Sequence, residues 1–240
     1  LTAMIIGAVM GLAMAYVTVN LNAEQGISGI GFFLFGLGMS DLLFQKMLGT
    51  VETVKGFPEI NIPGLSDIPG IGEIFFSQNL LVYGAYLLVP IAWFVLNKTT
   101  LGLKIRSVGE NPDAADSLGV SVARIRYFTI ILGGTLSGIA GASLSIALLN
   151  VFQQNLTSGL GFIAVALVYF GAWRPVGVLG GALLFSMINS LQLWIQVLGI
   201  NIPSDIAVMM PYVLTIVVLV ATVSRVRAPS ALTKPFEREN

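Results

Sequence analysis

The stretch YFTIILGGTLSGIAGASLSIALL, residues 127–149, decides the class of fold because it is apolar along its length and contains no charged side chain. A helix needs about 20 such residues to cross the hydrocarbon of a bilayer. Since no water is available there, every backbone polar group has to be paired inside its own helix. The stretch therefore predicts a transmembrane helix.

Similar apolar stretches recur along the rest of the chain. They cover residues 2–19, 27–44, 80–97, 160–172, 176–197 and 206–223. The stretch at 160–172 is short, and Asp41 is a charged residue near the end of the stretch at 27–44. The sequence predicts an all-α integral membrane protein, a polytopic transmembrane helix bundle over residues 1–223 followed by a tail over residues 224–240.

The overall composition agrees with a surface that faces lipid. Of 240 residues, 55% are hydrophobic and 10% are charged, against about 25% charged in an average soluble domain. A net charge of zero gives no indication of a nucleic-acid partner. The absence of Cys and His from the sequence excludes disulfides, thiolate nucleophiles and the common transition-metal sites. We expect no cofactor in this chain.

The distribution of basic residues predicts the orientation of the spans. One basic region is the loop 98–126, and the other is the tail after Val223. Basic segments next to spans stay in the cytoplasm, and four crossings separate these two regions if the short stretch 160–172 also crosses. The segment 45–79 and Leu1 then face outward. Because Leu1 already lies in an apolar run, we expect an N-terminally truncated chain.

Pairs of glycines spaced four residues apart predict close contacts between helices. Such pairs let two helix backbones approach each other in lipid. The pairs are Gly7 with Gly11, Gly134 with Gly138 and Gly177 with Gly181.

The cytoplasmic loop 98–126 contains the signals of a short helix. Asn111 can cap the free N–H groups at the start of the helix, and Pro112 suits its first position. Asp113 complements the positive end of the helix dipole. Gly119 suits the left-handed residue that ends a helix.

This short helix is predicted to present a small apolar face to the cytoplasm. Ala114, Ala115 and Leu118 make up the face, which has the properties of a knob that fits the groove of another protein. An ordinary helix at the membrane interface is the alternative.

The segment VGENPDAADSLG, residues 108–119, together with residues 127–144, resembles the permeases of ABC importers for branched-chain amino acids, ribose and nucleosides. Within that superfamily it is similar to the nucleoside and simple-sugar branch, which works with basic-membrane lipoprotein receptors. Further similar segments are GLSDIPG at 64–70, GFIAVALVYFGAW at 161–173 and the segment 212–219.

The resemblance implies a fold of the type II ABC importer kind in the plasma (inner) membrane. It implies three partners besides the bilayer: a second permease, identical or paralogous, two cytoplasmic ATPases that hold ATP and Mg, and an external solute-binding lipoprotein. The segment Pro112–Leu118 would be the coupling helix that the ATPases push. The residues implied in coupling are Gly109, Glu110, Asn111, Pro112, Ala114, Ala115, Leu118 and Gly119.

The segment 45–79 is the candidate docking surface for the lipoprotein. It is rich in Pro and Gly, which favours turns over a long helix. Its acidic residues outnumber its two lysines, so it either receives a basic surface or is simply solvated. The candidate docking residues are Glu59, Asp67 and Glu73.

Polar residues in or near the predicted spans are candidates for the translocation path. They are Gln153, Asn155, Asn189, Ser190 and Gln192. Amides both donate and accept hydrogen bonds, which suits a nucleobase or a polyhydroxyl ligand. Hydrogen bonding between helices or solvation at the interface explains each of them more readily.

Three other functions stay open at this point. A membrane-embedded enzyme would need a converging acid–base set, and only Asp41 and Arg174 are available near the spans. A passive channel or secondary transporter is the second, although coupled carriers usually keep ionisable groups near the midplane. A branched-chain amino acid or ribose permease is the third. The sequence contains no G-x-x-x-x-G-K-[ST] motif, so we expect ATP hydrolysis in a separate subunit.

Overall fold

The computed structural model describes residues 1–64, 66–68, 71–198, 209–210, 212–213, 216–217, 220 and 227–236. Most of them are α-helical, and the predicted class of an all-α membrane protein is confirmed. The last predicted span, 206–223, lies largely outside the described residues.

Long apolar helices alternate with short elements along the chain. The helices are α1 (Thr2–Ala15), α2 (Gln25–Met47), α3 (Ile71–Phe76), α4 (Leu80–Lys98), α5 (Thr100–Glu110), α6 (Pro112–Ser117), α7 (Val122–Ser143), α8 (Leu160–Phe170) and α9 (Pro175–Val197). The strands are β1 (Glu52–Thr53), β2 (Glu59–Asn61), β3 (Ser77–Asn79) and β4 (Val151–Phe152). Two π-helical turns, Tyr16–Asn20 and Leu144–Leu149, continue α1 and α7.

Among the described residues, five helical stretches are long and apolar enough to cross a bilayer. They are Thr2–Asn20, Gln25–Met47, Leu80–Lys98, Val122–Leu149 and Pro175–Ile195. The helix α8 is shorter, at 11 residues, and its crossing stays a prediction. Large apolar side chains along these helices are mostly exposed. Such a surface fits lipid and not water.

The chain divides into two compact units. The first contains Leu1–Leu88, Thr99–Ser158 and Ala231–Asn240, and the second contains Val89–Lys98 and Gly159–Ser230. In the first unit, α1 packs closely on α7. A Cβ on Gly7 would collide with the carbonyl oxygen of Gly134, and a Cβ on Gly11 would lie 2.9 Å from that of Ile130. The predicted backbone contact at these glycines is confirmed.

The segment 45–79 of the first unit is built from short strands and turns. The strand β1 pairs with β4, and β2 pairs with β3, both in antiparallel register. The N–H of Val54 donates to the carbonyl of Asn150 at 2.8 Å, and the N–H of Phe57 donates to that of Ile146 at 3.0 Å. Residues 51–57 are therefore tied by backbone hydrogen bonds to the end of the α7 extension.

In the second unit, α8 turns tightly into α9. A Cβ on Gly177 would collide with the carbonyl oxygen of Gly171, so the residue that caps α8 meets the first turn of α9 at bare backbone. The other glycine of this predicted pair, Gly181, faces the ring of Phe170, which a Cβ would approach to 2.5 Å. Ala172 adopts a positive φ of 53° inside the turn. The glycine pair thus sets the geometry of this helical hairpin.

Candidate functional site

The start of the short helix α6 is fixed by its capping residue. The side-chain oxygen of Asn111 accepts a hydrogen bond from the N–H of Ala114 at 3.0 Å. Pro112 occupies the first position, where no N–H is needed, and Asp113 lies in the first turn near the positive helix end. The predicted helix Pro112–Leu118 agrees with the observed Pro112–Ser117 to within one residue.

The end of α6 is fixed by a left-handed glycine. Gly119 has a φ of +80°, a conformation that a residue with a Cβ adopts only at a cost. The N–H of Gly119 donates to the carbonyl of Asp116 at 2.8 Å, and the N–H of Val120 donates to that of Ala115 at 3.0 Å. These bonds satisfy carbonyls at the end of the helix. The helix α7 begins three residues after Gly119, at Val122.

One of the predicted exposed residues of α6 points inward. Ala114 is exposed and Leu118 is 85% exposed, but Ala115 is only 3% exposed. The prediction that all three share a cytoplasmic face is therefore wrong for Ala115. Ala114 and Leu118 are four residues apart and lie on one side of a helix, whereas Ala115 is rotated by about 100° from Ala114. The exposed face consists of Ala114 and Leu118.

Ala115 belongs to a small buried cluster that joins three helices. It packs with Val108 of α5 and Val122 of α7, and we call these three residues the hinge cluster. Val120, Ile125 and Phe236 pack against the cluster and are partly buried. Sequence reasoning missed Val108 and Val122. Val108 could have been found in the sequence as an apolar residue among the polar and charged residues of an amphipathic helix.

The C-terminal tail folds back onto the hinge cluster. The N–H of Ala231 donates to the carbonyl of Gly109 at 3.0 Å. The guanidinium of Arg126 lies 5.9 Å from the centroid of the Phe236 ring, within the range of a cation–π contact. Arg126 is 9% exposed. A cleft of about 250 Å³ lies beside this contact, with Asp116 and Ser121 in its wall.

The other residues predicted to act in coupling lie at the junction of α5 and α6. Gly109 and Glu110 form the last two positions of α5, and Asn111 and Pro112 begin α6. Gly109 and Pro112 are half-buried, and Glu110 is exposed. The structure thus arranges the predicted residues around one turn. Their role in coupling to an ATPase stays a prediction.

The candidate path residues fall in both units. Gln153 and Asn155 are exposed in the first unit, in the turn after β4. In the second unit Asn189 and Ser190 are exposed on α9, whereas Gln192 is 8% exposed. Their role in translocation stays a prediction.

The candidate docking residues lie on the strand-and-turn segment. Glu59 is exposed in β2, and Asp67 is exposed in the turn that follows. Glu73 belongs to α3, and its side chain lies outside the described residues. The hydroxyl of Tyr83 donates to the carbonyl of Ile60 at 2.9 Å, which ties β2 to α4. Docking at these residues stays a prediction.

A family model described as "Branched-chain amino acid transport system / permease component" matches residues 1–219. The guanosine ABC transporter permease protein NupQ of Bacillus subtilis is 37% identical, over 98% of this chain and 76% of that protein. The nucleoside ABC transporter permease protein NupC of Lactococcus lactis is 39% identical, over 95% of this chain and 73% of that protein.

A third relative comes from an archaeon. The putative glucose ABC transporter permease protein of Haloferax volcanii is 36% identical, over 98% of this chain and 80% of that protein. No solved structure matches the chain. The resemblance seen in the sequence is confirmed by these matches. The chain belongs to the branched-chain amino acid transport system permease family, and it is a multi-pass membrane protein that serves as the permease subunit of an ABC importer.

Proposed function

We propose that this permease imports a nucleoside or a simple sugar, which an external solute-binding lipoprotein delivers to it. The relatives named above for guanosine, nucleosides and glucose support this choice of solute. The observation that carries the ATP-driven part of the proposal is the exposed pair Ala114 and Leu118 on a short helix anchored by the hinge cluster. Such a helix can pass a push from a partner into α5 and α7.

The motor in this proposal is a pair of separate cytoplasmic ATPases that bind ATP and Mg. The chain lacks a phosphate-binding loop motif in its sequence, so the energy has to enter through a contact. A second permease, identical or paralogous, completes the membrane part. Alternation between inward-open and outward-open states then follows from the ATPase cycle.

The C-terminus lies in the cytoplasm in this proposal. The basic loop 98–126 and the basic tail are both expected on that side. The hydrogen bond between Ala231 and Gly109 supports this arrangement because it holds the tail against the same loop. The segment 45–79, with Glu59 and Asp67 exposed, then faces the lipoprotein.

The proposal is tested by a single exposed substitution in α6. We expect Leu118→Asp to abolish retention of a P-loop ATPase when the intact transporter is purified from its native membrane in mild detergent. The side chain is 85% exposed, so the permease itself should fold normally. The measurement is the amount of ATPase per permease after affinity purification.

A matched control is Leu103→Asp in α5, which introduces the same charge at another exposed leucine. This variant should retain the ATPase. Retention by Leu118→Asp at the parent level would contradict the proposed contact. Uptake of labelled guanosine, D-glucose and L-leucine by cells that contain the parent transporter separates the nucleoside and sugar proposal from an amino acid permease, which would take up leucine alone.

A further inference from the structure

The short helix α6 cannot hold its position by itself. It has six residues, and isolated helices shorter than about 12 residues are marginal in water. Its buried side chain is Ala115, which anchors it in the hinge cluster. An alanine methyl offers little apolar area, so the stiffness of this anchor depends on whatever else covers the cluster.

The C-terminal tail supplies that cover. Phe236 packs on the hinge cluster, and its ring lies 5.9 Å from the guanidinium of Arg126 in the second turn of α7. The hydrogen bond from Ala231 to Gly109 fixes the other end of the segment to the last turn of α5. The segment Ala231–Phe236 therefore touches the helix before α6 and the helix after it.

We infer that the segment Ala231–Phe236 is a brace that positions α6 for the ATPase, with Phe236 as the positioning residue. This inference rests on the proposed function, because it assigns the tail a part in the same contact. A force applied to Ala114 and Leu118 reaches the long helix α7 only if α6 does not tilt on its anchor. The ring of Phe236 covers the hinge cluster that holds Ala115, and the Arg126 contact fixes the ring to α7.

The test uses the complete transporter with its ATPases, reconstituted in lipid, and the variant Phe236→Ala. The apparent dissociation constant of the ATPase should rise by about fivefold, at the low end of typical coupling effects. Amide hydrogen exchange at Ala115, Gly119 and Val120 should become faster, because a looser anchor raises the open population. Exchange in the α1–α7 contact should stay as in the parent.

Two control variants separate positioning from general folding. Phe236→Leu keeps an apolar side chain on the cluster and should restore most of the ATPase affinity. Leu103→Ala alters a residue of α5 that is 61% exposed and lies outside the brace, and it should bind the ATPase as the parent does. A loss in Phe236→Ala that Phe236→Leu does not repair, with a lower Tm of the permease, would show a general folding defect and overturn the brace.

The outcomes also distinguish the brace from the proposed function. Parent affinity and parent exchange in Phe236→Ala, with loss of the ATPase in Leu118→Asp, would overturn the brace alone. Retention of the ATPase in both variants would overturn the α6 contact and the brace with it. Loss of the ATPase in Leu118→Asp and an about fivefold weaker affinity in Phe236→Ala, with faster exchange at Ala115 in the latter, is the result that the inference expects.

Discussion

Two glycine-rich helices of the first unit, α1 and α2, use the same residue in opposite ways. In α1, Gly7 and Gly11 meet the backbone of α7 so closely that a Cβ has no room. In α2, a Cβ on any of four glycines would meet no atom of the described residues within 4 Å. Those four glycines are Gly29, Gly31, Gly36 and Gly38.

The difference teaches that glycine content alone does not identify a helix contact in a membrane protein. In α1 the spacing of four residues coincides with a partner, α7, that carries Gly134 and Gly138 at the same spacing. Facing pairs allow backbone atoms to approach and form weak Cα–H to carbonyl contacts. In α2 these four glycines face no described partner, so among the described residues each one keeps the entropic cost of glycine in a helix without a packing gain.

The largest expected effect on the permease comes from adding a side chain to α7 in its contact with α1. Gly134→Leu should prevent α1 and α7 from packing, because even a Cβ at this position would collide with the carbonyl oxygen of Gly7 and lie 2.9 Å from the Cα of Gly11. We expect no monodisperse permease in size-exclusion chromatography after detergent extraction. A monodisperse Gly134→Leu protein with the parent Tm would contradict the claimed difference between the glycines of α1 and those of α2.

A smaller and graded effect is expected from single methyl groups in α1. Gly7→Ala and Gly11→Ala should each lower stability by about 1–3 kcal/mol, the usual cost of overpacking. Gly7→Ala should cost more, because its Cβ would come closer to a backbone oxygen than the 2.9 Å expected at Gly11. The measurement is the Tm of each variant in the same detergent. The reverse order would show that the contact relaxes more easily at Gly7.

The smallest effect is expected in α2. Gly38→Ala should leave the Tm unchanged or raise stability by up to about 1 kcal/mol, since alanine favours a helix over glycine. The position is exposed, and the added methyl group has open space among the described residues. Thermal unfolding of the isolated permease checks this. A fall in Tm as large as that of Gly11→Ala would remove the difference between the two helices.

Features that depend on local properties of the chain could be predicted from the sequence. Apolar length and the absence of charge predicted the membrane helices, because solvation by lipid acts on each segment separately. The bounds of α6 followed from Asn111, Pro112 and Gly119, since capping is a local interaction. The facing glycines of α1 and α7 could be predicted as packing sites, but their pairing with each other could not.

The features that the sequence did not predict depend on contacts between distant residues. The inward orientation of Ala115 requires Val108 and Val122 as neighbours, and the spacing within α6 does not contain that information. The fold-back of Phe236 onto the hinge cluster joins residues more than a hundred positions apart. The strands β1 and β4 are two residues long, too short for an alternating pattern to be visible in the sequence.

The contact between α1 and α7 has a consequence for biogenesis. When α1 enters the membrane, its partner has not yet been synthesised, because α2 to α6 lie between them in the chain. At the usual rate of translation the delay is on the order of ten seconds. During that time Gly7 and Gly11 leave a shallow groove that faces lipid or the insertion machinery. Because the surface of α1 is apolar, the inserted helix is stable in lipid without its partner. The bilayer therefore solvates α1 until α7 is inserted.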